Sequence, residues 1–468
     1  MVGEMTSIET RLSEALKNVG TGACAGSADD DGIATLGVLR ELARAWPGPL
    51  TSLHREYLDA ICRKLALTGT LYRRYGENWK PAKGGKNPLD LQGATLAVAT
   101  LLAWAHVPEQ MGPEGRGLAY KLLNAALTAL DSFFGEQIAA GKLAEQAEQL
   151  LSAVAVPACE IEGDAAHERG ERRVPSADRT LPVTVLGYEG PCFRAYLSSL
   201  RRAGLRPERL VLLVLSEHPA SHKPVGRWFP GRLRSWYAEK TQEMALNHWP
   251  RRLRAAHPNL VRAITDGLAA IVDRPGELID DMYGPPRYER WAQRADRVVV
   301  RDLRDERLAD ALRDITPSTV LFTGGGILPA RIIDLPGLRF LHVHPGHLPH
   351  VRGADGLLWS TLVRGRPAMS CFHLSAGLDT GDVIARREYP PLNLRLNGSW
   401  PDDLTLYRAV FAFIDPLLRA DLLVNVLSSA VNPQQLATAP QDPSEGVTYH
   451  FMHPRLRRRV LSHLFGLA

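Results

Sequence analysis

Two kinds of hydrophobic pattern divide this chain. Up to about residue 156, apolar residues recur at three- and four-residue spacing, as in KLAEQAEQLLSAVA and LHREYLDAICRKLALTGTLYRRY. This spacing is that of one face of an α-helix. Breaks rich in glycine and proline, such as KPAKGGKNPLD, separate the helical segments. The pattern predicts an all-α N-terminal domain over residues 1–156, of unknown role, and a charged linker over residues 157–180.

A different pattern begins at residue 181. LPVTVLGYEG and RLVLLVLS are short β-branched runs on either side of the helical FRAYLSSLRRAG, and this order predicts a βαβ unit of a parallel sheet. A segment rich in Trp, Arg and Pro follows, which we interpret as an insertion or lid. Strand and helix patterns then alternate again through DRVVVRD, STVLFTGGG and RFLHVH. We therefore expect a Rossmann-type α/β domain with a mainly parallel sheet over residues 181–390, and a mostly helical extension over 391–468.

Composition narrows the classes of protein to consider. The 468 residues suffice for several domains, and the net charge of +5 is small beside 56 basic and 51 acidic side chains. A nucleic-acid partner is therefore not expected. The five cysteines are scattered without CxxC spacing, which argues against disulfides or a cysteine zinc site. The N-terminus has no signal-peptide pattern, and the longest apolar run is too short to cross a bilayer. These features predict a cytoplasmic protein without a membrane partner.

LHVHPGHLPHVRG contains four histidines and begins at the end of a predicted strand. His342 and His344 are two residues apart, so both side chains should lie on one face of that strand. In open α/β sheets, ligands bind at the carboxyl ends of the strands. A zinc site is conceivable, but adjacent prolines and the lack of a cysteine or acid at matching spacing disfavour it, and we expect no metal. His347 and His350 are interpreted as polar loop residues.

Two further features complete a candidate site. The triple glycine Gly324–Gly326 follows an apolar strand, where missing side chains allow a flat ligand to approach the backbone. Asp379 lies in LDTGD, a turn between two predicted strands. A histidine paired with a carboxylate can transfer protons at neutral pH, so we predict that His344 and Asp379 act together.

HVHPGHLPHVRG and GLDTGDVI together resemble the folate-dependent formyltransferases, the family of methionyl-tRNA and glycinamide ribonucleotide formyltransferases. The family pattern is Asn-x-His-Pro-x-x-Leu-Pro, then Arg-Gly, then Asp-x-Gly. Asp379 follows His344 by 379 − 344 = 35 positions, as in the family. GGGILPARIIDLPG also resembles the segment that lines the family's pterin pocket. The chain departs from the pattern at His342, which stands where the family has asparagine.

The resemblance implies a cosubstrate, 10-formyltetrahydrofolate, and a role for each site residue. His344 would be the base or proton relay, Asp379 its partner, and His342 the oxyanion donor in place of the amide. The residues expected to hold the folate are Gly324, Gly325, Gly326, Ile327, Leu328 and Val383. Those expected to contact the acceptor are Arg352, Asp355 and Ser370.

The expected function is transfer of a formyl group to a small amine, hydroxylamine or amino-acid-like acceptor of specialised metabolism. Beyond about residue 392 there is no run of alternating strands like the tRNA-binding domain of methionyl-tRNA formyltransferase, so tRNA is not expected as the acceptor. Two alternatives stay open. One is hydrolysis or rerouting of the formyl group by the altered site. The other is a non-catalytic ligand-binding or scaffold protein. A homo-oligomer or a partner could form through the N-terminal helices.

Overall fold

The computed structural model describes residues 179–466 except 220, 316, 317, 325, 393, 397–399, 443 and 444. It also describes 116, 117, 120, 121, 123–125, 127 and 128. The predicted all-α domain therefore lies almost wholly outside the described residues, as does the linker up to residue 178. The described residues belong to two compact units, which are treated separately below.

The larger unit is built on a seven-stranded sheet with the order β3-β2-β1-β4-β5-β7-β8. The first five of these strands run parallel, and β7 and β8 are antiparallel to their neighbours. The predicted Rossmann-type, mainly parallel sheet is confirmed. In chain order, the strands are β1 (Arg179–Tyr188), β2 (Leu205–Leu215), β3 (Arg294–Val300), β4 (Ser318–Phe322), β5 (Leu338–His344), β6 (Val351–Gly353), β7 (Ala368–His373), β8 (Val383–Glu388) and β9 (Val447–Tyr449).

Helices connect these strands and cover both faces of the sheet, as parallel strands require. In chain order, they are α1 (Pro191–Arg202), α2 (Gly231–Leu246), α3 (His248–Ala256), α4 (Pro258–Leu268), α5 (Pro275–Tyr283), α6 (Tyr288–Trp291), α7 (Glu306–Arg313), α8 (Ala330–Ile333), α9 (Gly356–Arg364), α10 (Asp403–Ala409), α11 (Asp415–Ser429) and α12 (Pro454–Phe465). A π-helical turn, Val410–Ile414, joins α10 to α11.

The apolar strand patterns become the core of the larger unit. Leu186 of β1, Val211 of β2 and Phe322 of β4 pack in one buried cluster, which Leu308 and Leu312 of α7 cover from one face. All five residues are at most 2% exposed. Burying one such side chain stabilises the fold by about 1.5–3 kcal/mol. The near-continuous apolar strands of the sequence therefore correspond to strands buried on both faces.

The strand order reverses between β1 and β4, because the chain proceeds outward from β1 to β3 and then returns to β4. In sheets of this type, such a reversal opens a crevice at the carboxyl ends of the strands. Gly187 near the end of β1 lies against Thr323, which follows β4: a Cβ atom at position 187 would lie 2.0 Å from Thr323 Oγ1. Glycine is therefore required here for the close approach of the two strand ends.

The predicted insertion forms helices α2 to α6, and a buried ion cluster fixes it to the end of β1. Arg194 of α1 is fully buried and donates to Glu189, which directly follows β1, at 2.5 Å. The same guanidinium donates to the carbonyl oxygens of Met282 and Gly284 at 3.2 and 2.9 Å, and lies 3.5 Å from Glu243. Buried charges are tolerated when they are paired and hydrogen-bonded in this way.

Helix α11 belongs to the same compact unit as the sheet, where it packs against α1 and β7. Most of its residues are buried, including Leu417, Leu418 and Leu423. The predicted boundary at residue 390 therefore does not separate this helix from the sheet. Among the described residues, no helix is both long and apolar enough to cross a membrane.

The smaller unit combines the described residues between 116 and 128 with Leu362–Gly365 and Tyr449–Val460. Within it, the Asn124 side chain donates to Phe451 O at 3.2 Å and accepts from His453 N at 2.6 Å. One buried amide thus satisfies two backbone groups of the C-terminal segment, which otherwise would be costly to bury.

Candidate active site

Strand β5 ends at His344, and the loop that follows it is held by Ser370 on the neighbouring antiparallel strand, β7. Ser370 lies opposite His344 in the pairing register. Its hydroxyl donates to Gly346 O at 2.7 Å and accepts from Leu348 N at 3.0 Å, and the side chain is fully buried. Sequence analysis assigned Ser370 to the acceptor. In the structure, its hydroxyl is instead occupied in fixing the histidine loop.

His344 and Asp379 are brought together, as the spacing of the two motifs led us to expect. His344 Nδ1 lies 3.5 Å from Asp379 Oδ2, and Nε2 lies 2.9 Å from Val351 O. Because a carbonyl oxygen only accepts, Nε2 carries the proton of the neutral ring. Asp379 Oδ2 also accepts from Gly353 N at 2.9 Å, and Asp379 has a φ of 55°, a region that aspartate tolerates better than most residues.

This environment prepares His344 to take up a proton transiently. Burial lowers the pKa of His344, while the Asp379 carboxylate acts in the opposite direction. The ring is therefore inclined to be neutral at rest, and its Nδ1 lone pair faces the carboxylate. If the ring takes up a second proton, Nδ1 can donate to the Asp379 carboxylate while Nε2 still donates to Val351 O.

His342 occupies the asparagine position of the family pattern and is oriented by the end of β4. Its Nδ1 lies 2.8 Å from Phe322 O, so Nδ1 must carry the proton of the neutral ring. The rings of Phe322 and Phe372 lie 5.9 and 5.8 Å from the imidazole. On the side of the glycine segment, a Cβ atom at Gly324 would lie 3.6 Å from His342 Cε1.

Charge on His342 is disfavoured. Burial lowers its pKa to about 4, and the positive charge of Arg419 acts in the same direction. At neutral pH, Nδ1 is committed to Phe322 O and Nε2 bears a lone pair. To donate a hydrogen bond to an oxyanion, as expected, Nε2 would need a second proton on the ring. This imidazolium form is opposed by the environment of His342. His342 therefore presents an acceptor where the family's amide can present a donor.

Arg419 of α11 is a site residue that sequence analysis missed. Its guanidinium donates to Val343 O, between the two histidines, at 3.1 Å. It also pairs with both carboxylate oxygens of Asp415, at 3.1 and 2.9 Å. Burial lowers the pKa of Arg419, but the Asp415 carboxylate and other neighbouring groups act in the opposite direction, and the net effect is a raised pKa. The spacing of Asp415 and Arg419 is that of an ion pair on one helix face, yet nothing in the sequence placed this helix behind β5.

Two glycines of the glycine segment adopt backbone conformations that favour glycine. Gly324 and Gly326 have φ values of 106° and 142°, a region that favours glycine, whereas Gly325 lies outside the described residues. Ile327 is 77% exposed and Leu328 is buried. These residues stay candidates for the pterin side of the site.

The backbone of Val383, which was expected to hold the folate, is hydrogen-bonded within the chain. Its N–H donates to Ala439 O and its carbonyl accepts from Ala439 N, both at 2.8 Å. The N–H is therefore already used, whereas the carbonyl oxygen has a second lone pair, and contact with the folate stays a prediction. The buried side chain of Val383 packs with Leu348 and Phe372.

Arg352 and Gln441 connect the histidine loop to the Asp379 turn. Arg352 Nη2 lies 3.4 Å from both Gln441 Oε1 and Asp442 O. The Gln441 amide donates to the backbone oxygens of Asp379 and Gly381, at 3.0 and 2.5 Å. Burial lowers the pKa of Arg352, and the Asp379 and Asp442 carboxylates oppose this shift. Arg352 was expected to contact the acceptor. In the structure, its guanidinium contacts Gln441 and Asp442, and Gln441 in turn holds the backbone of the Asp379 turn.

Asp355 is also occupied within the chain. It is 5% exposed, and its Oδ1 accepts from the Tyr407 hydroxyl at 2.9 Å. An acceptor ammonium at this carboxylate would have to share it with that hydroxyl.

The rings of His347 and His350 stack at 5.4 Å. In the part of the chain that the structure describes, no group of three His, Cys, Asp or Glu residues could hold a metal ion.

Sequence comparison identifies relatives of part of the chain. No family model matches the chain. Methionyl-tRNA formyltransferase of Syntrophus aciditrophicus is 33% identical over 136 residues, which are 28% of this chain and 42% of that protein. The corresponding enzyme of Rickettsia bellii is 29% identical over 149 residues, 31% of this chain and 44% of that protein. Over these regions the chain is similar to methionyl-tRNA formyltransferases.

The similarity to these formyltransferases is partial, since the matched region spans less than half of the length of either relative. Among solved structures, a 4-N formyltransferase from Francisella tularensis is 10% identical, with a TM-score of 0.31, over 60% of this chain and 86% of that one. HypX from Aquifex aeolicus in complex with tetrahydrofolic acid is 20% identical, with a TM-score of 0.24, over 36% and 27% of the two chains.

Proposed function

We propose that the protein transfers the formyl group of 10-formyltetrahydrofolate to a small amine, hydroxylamine or amino-acid-like acceptor. The observation that carries this proposal is the His344–Asp379 pair at the carboxyl end of β5. The relationship to formyltransferases supports the same chemistry. The folate is a cosubstrate, and the glycine segment at Gly324–Leu328 is the proposed place for its pterin ring.

In this reaction the acceptor nitrogen attacks the formyl carbon, and the carbonyl π electrons move to oxygen. The His344–Asp379 pair receives the proton that must leave the acceptor before it can attack. As the adduct collapses, the bond from the formyl carbon to N10 breaks and N10 takes up a proton. The products are a formamide and tetrahydrofolate. General base catalysis of this kind accelerates a reaction by about 10²–10⁴-fold.

A small acceptor is supported by the charge of the chain. The modest net charge of +5 gives little attraction to a nucleic acid. A small metabolite of a specialised pathway therefore fits the proposed site better than a tRNA.

Hydrolysis of the formyl group is the second candidate function. It is favoured by the lone pair on His342 Nε2, which can accept a proton from water as well as from an amine. Both candidate reactions release tetrahydrofolate and differ only in whether an acceptor is needed.

The test is to incubate the purified protein with 10-formyltetrahydrofolate, with and without a panel of amines, and to follow tetrahydrofolate release. Release that requires an amine, with the formamide detected by mass spectrometry, supports transfer. Release without an amine supports hydrolysis, and no folate binding or release excludes both reactions. Asp379→Asn should lower the rate by at least 10²-fold while preserving the turn, since asparagine also tolerates positive φ.

His344→Gln should have a similar effect on the rate. His350→Asn is the matched control, because it removes a histidine from the same loop without touching the His344–Asp379 pair. Near-normal rates in both His344→Gln and Asp379→Asn would refute the assignment of these two residues, whatever reaction the protein catalyses.

A further inference from the structure

The two histidines of β5 differ in how their ring nitrogens are used. His344 has an acceptor beside each nitrogen, Val351 O at 2.9 Å and Asp379 Oδ2 at 3.5 Å. His342 has one, Phe322 O at 2.8 Å from Nδ1. No described residue forms a hydrogen bond to His342 Nε2. This second nitrogen is therefore the one that can contact a reacting group directly.

The backbone fixes the tautomer of His342. A carbonyl cannot donate, so the short contact to Phe322 O keeps the proton on Nδ1 and leaves Nε2 with a lone pair. Two phenylalanine rings flank the imidazole, and Arg419 holds a positive charge behind the strand. The apolar surroundings and the charge of Arg419 disfavour a second proton at rest and outweigh the Phe322 carbonyl, which favours it. Nε2 is thus a proton acceptor and not a hydrogen-bond donor.

We propose that His342 Nε2 takes the proton of the tetrahedral adduct's nitrogen and delivers it to N10 as the formyl carbon–N10 bond breaks. This inference rests on the proposed function and replaces the oxyanion-donor role that the family pattern implies for this position. The two histidines then act in sequence: His344 with Asp379 before the attack, and His342 after it.

The proton balance supports this division for an acceptor that arrives as an ammonium ion. Such a nitrogen loses two protons on its way to a formamide. The first passes to the His344–Asp379 pair and then to solvent, which generates the nucleophile. The second leaves the positively charged nitrogen after its bond to carbon has formed. His342 accepts it and passes it to N10, so that tetrahydrofolate leaves as a neutral amine and His342 returns to its starting form.

The weak basicity of His342 suits the second step and not the first. A partly buried imidazole that holds a proton poorly cannot easily deprotonate a free ammonium, but it can accept a proton from the more acidic adduct nitrogen. Once protonated, it is a strong acid. N10 bears an aromatic ring and is weakly basic, so it needs such an acid when it leaves. Matching a proton donor to its acceptor in this way is the basis of efficient general acid catalysis.

The tautomer can be tested without any assay of activity. In protein labelled with ¹⁵N at histidine, we expect the His342 resonances at neutral pH to show a protonated Nδ1 and an unprotonated Nε2. The His342→Asn variant assigns the signals by their loss. A protonated Nε2 at neutral pH would overturn the inference, whatever the protein's activity.

The kinetic test compares two replacements that can donate a hydrogen bond but cannot carry a proton. We expect His342→Asn and His342→Gln to bind 10-formyltetrahydrofolate as the wild type does, with kcat lowered by about 10²–10⁴-fold. His350→Asn should keep the wild-type rate. Wild-type activity in either His342 variant would mean that position 342 acts as a donor and would refute the proposal.

Two further measurements separate proton transfer from a structural role. In His342→Ala, added imidazole should restore part of the lost rate, because removing the ring leaves a space next to Gly324 in which a free base can bind. No rescue in a variant that still binds folate would count against the proposal. The pH profile distinguishes the roles again. If His342 accepts a proton, it is active only when its ring is neutral, so wild-type kcat should fall below about pH 4. If His342 instead donated a hydrogen bond from Nε2, the protein would become more active as the pH falls.

Failure of the proposed function has a different signature. If the wild type binds folate and shows the Nδ1–H tautomer but releases no tetrahydrofolate with any acceptor or with water, the reaction assignment is wrong and the role of His342 falls with it. If the wild type is active and the neutral His342 ring carries its proton on Nε2, formyl transfer stands and only the inference about His342 is wrong.

Discussion

Removing the positive charge of Arg419 should destabilise the fold and raise the pKa of His342. The Arg419 and Asp415 side chains are only 12% and 2% exposed, and they contact each other at 2.9 Å. In Arg419→Gln, the Asp415 carboxylate would stay buried with one weak neighbouring donor, Cys192 Sγ at 3.9 Å. The Val343 carbonyl would also lose its 3.1 Å partner.

The size of the effect follows from these contacts. Breaking a buried ion pair by removing one partner costs about 3–5 kcal/mol of unfolding free energy, because the remaining charge is uncompensated. The double variant Asp415→Asn/Arg419→Gln removes both charges and should be more stable than the sum of the two single changes predicts. Arg419→Lys keeps the charge but not the forked geometry, and it should fall between the wild type and Arg419→Gln.

Urea denaturation of the three variants and of Asp415→Asn measures this coupling. A loss below about 1 kcal/mol in Arg419→Gln, or strict additivity in the double variant, would show that the pair is not the stabilising unit we describe. A second readout is the pH profile of activity. Arg419 lowers the pKa of His342, so its removal should move the acid limb of the wild-type profile to higher pH. An unmoved limb would contradict that electrostatic role.

Two substitutions and one pH dependence test single features of the site. Ser370→Ala leaves two buried backbone groups of the histidine loop without their partner, and it should lower the unfolding free energy by about 1–3 kcal/mol and reduce turnover. Gly381→Ala places a Cβ atom 1.7 Å from His373 O, so it should destabilise the protein by about 1–3 kcal/mol, seen as a lower thermal midpoint. Because the pKa of His342 falls from 6.5 to about 4 on folding, the unfolded chain takes up its proton first as the pH decreases. Stability should therefore fall between pH 6.5 and 4 by up to about 3 kcal/mol in the wild type and less in His342→Asn, and equal losses in both would contradict it.

The sequence predicted most of the α/β fold and the central pair of the site. The central parts of strands such as LPVTVLG and RLVLLVL are buried on both faces, and their nearly continuous apolar pattern identifies them without further information. His344 and Asp379 could be paired because each stands in a motif of known spacing. The remaining features depend on where distant segments meet. Neither the placement of Arg419 behind β5 nor the carbonyl that fixes the His342 tautomer is encoded in a local pattern.

The same limit explains the residues whose expected roles changed. Arg352, Ser370 and Val383 all stand in or near the family motifs, and each uses its polar groups within the chain. A motif records that a residue type is needed, but it does not distinguish a group that meets a ligand from one that shapes the loop around it. Only the hydrogen-bond partners make that distinction.

The position of α11 limits how this protein can be divided. The motif-bearing region ends near residue 390, so a fragment cut there would include both histidines and Asp379 and would look complete. It would lack Arg419, the donor to the backbone between those histidines. Such a fragment, or a chimera that joins this region to another protein's C-terminal part, would carry the reacting groups in an altered electrostatic setting. The smallest transplantable unit of this site extends at least to the end of α11, Ser429.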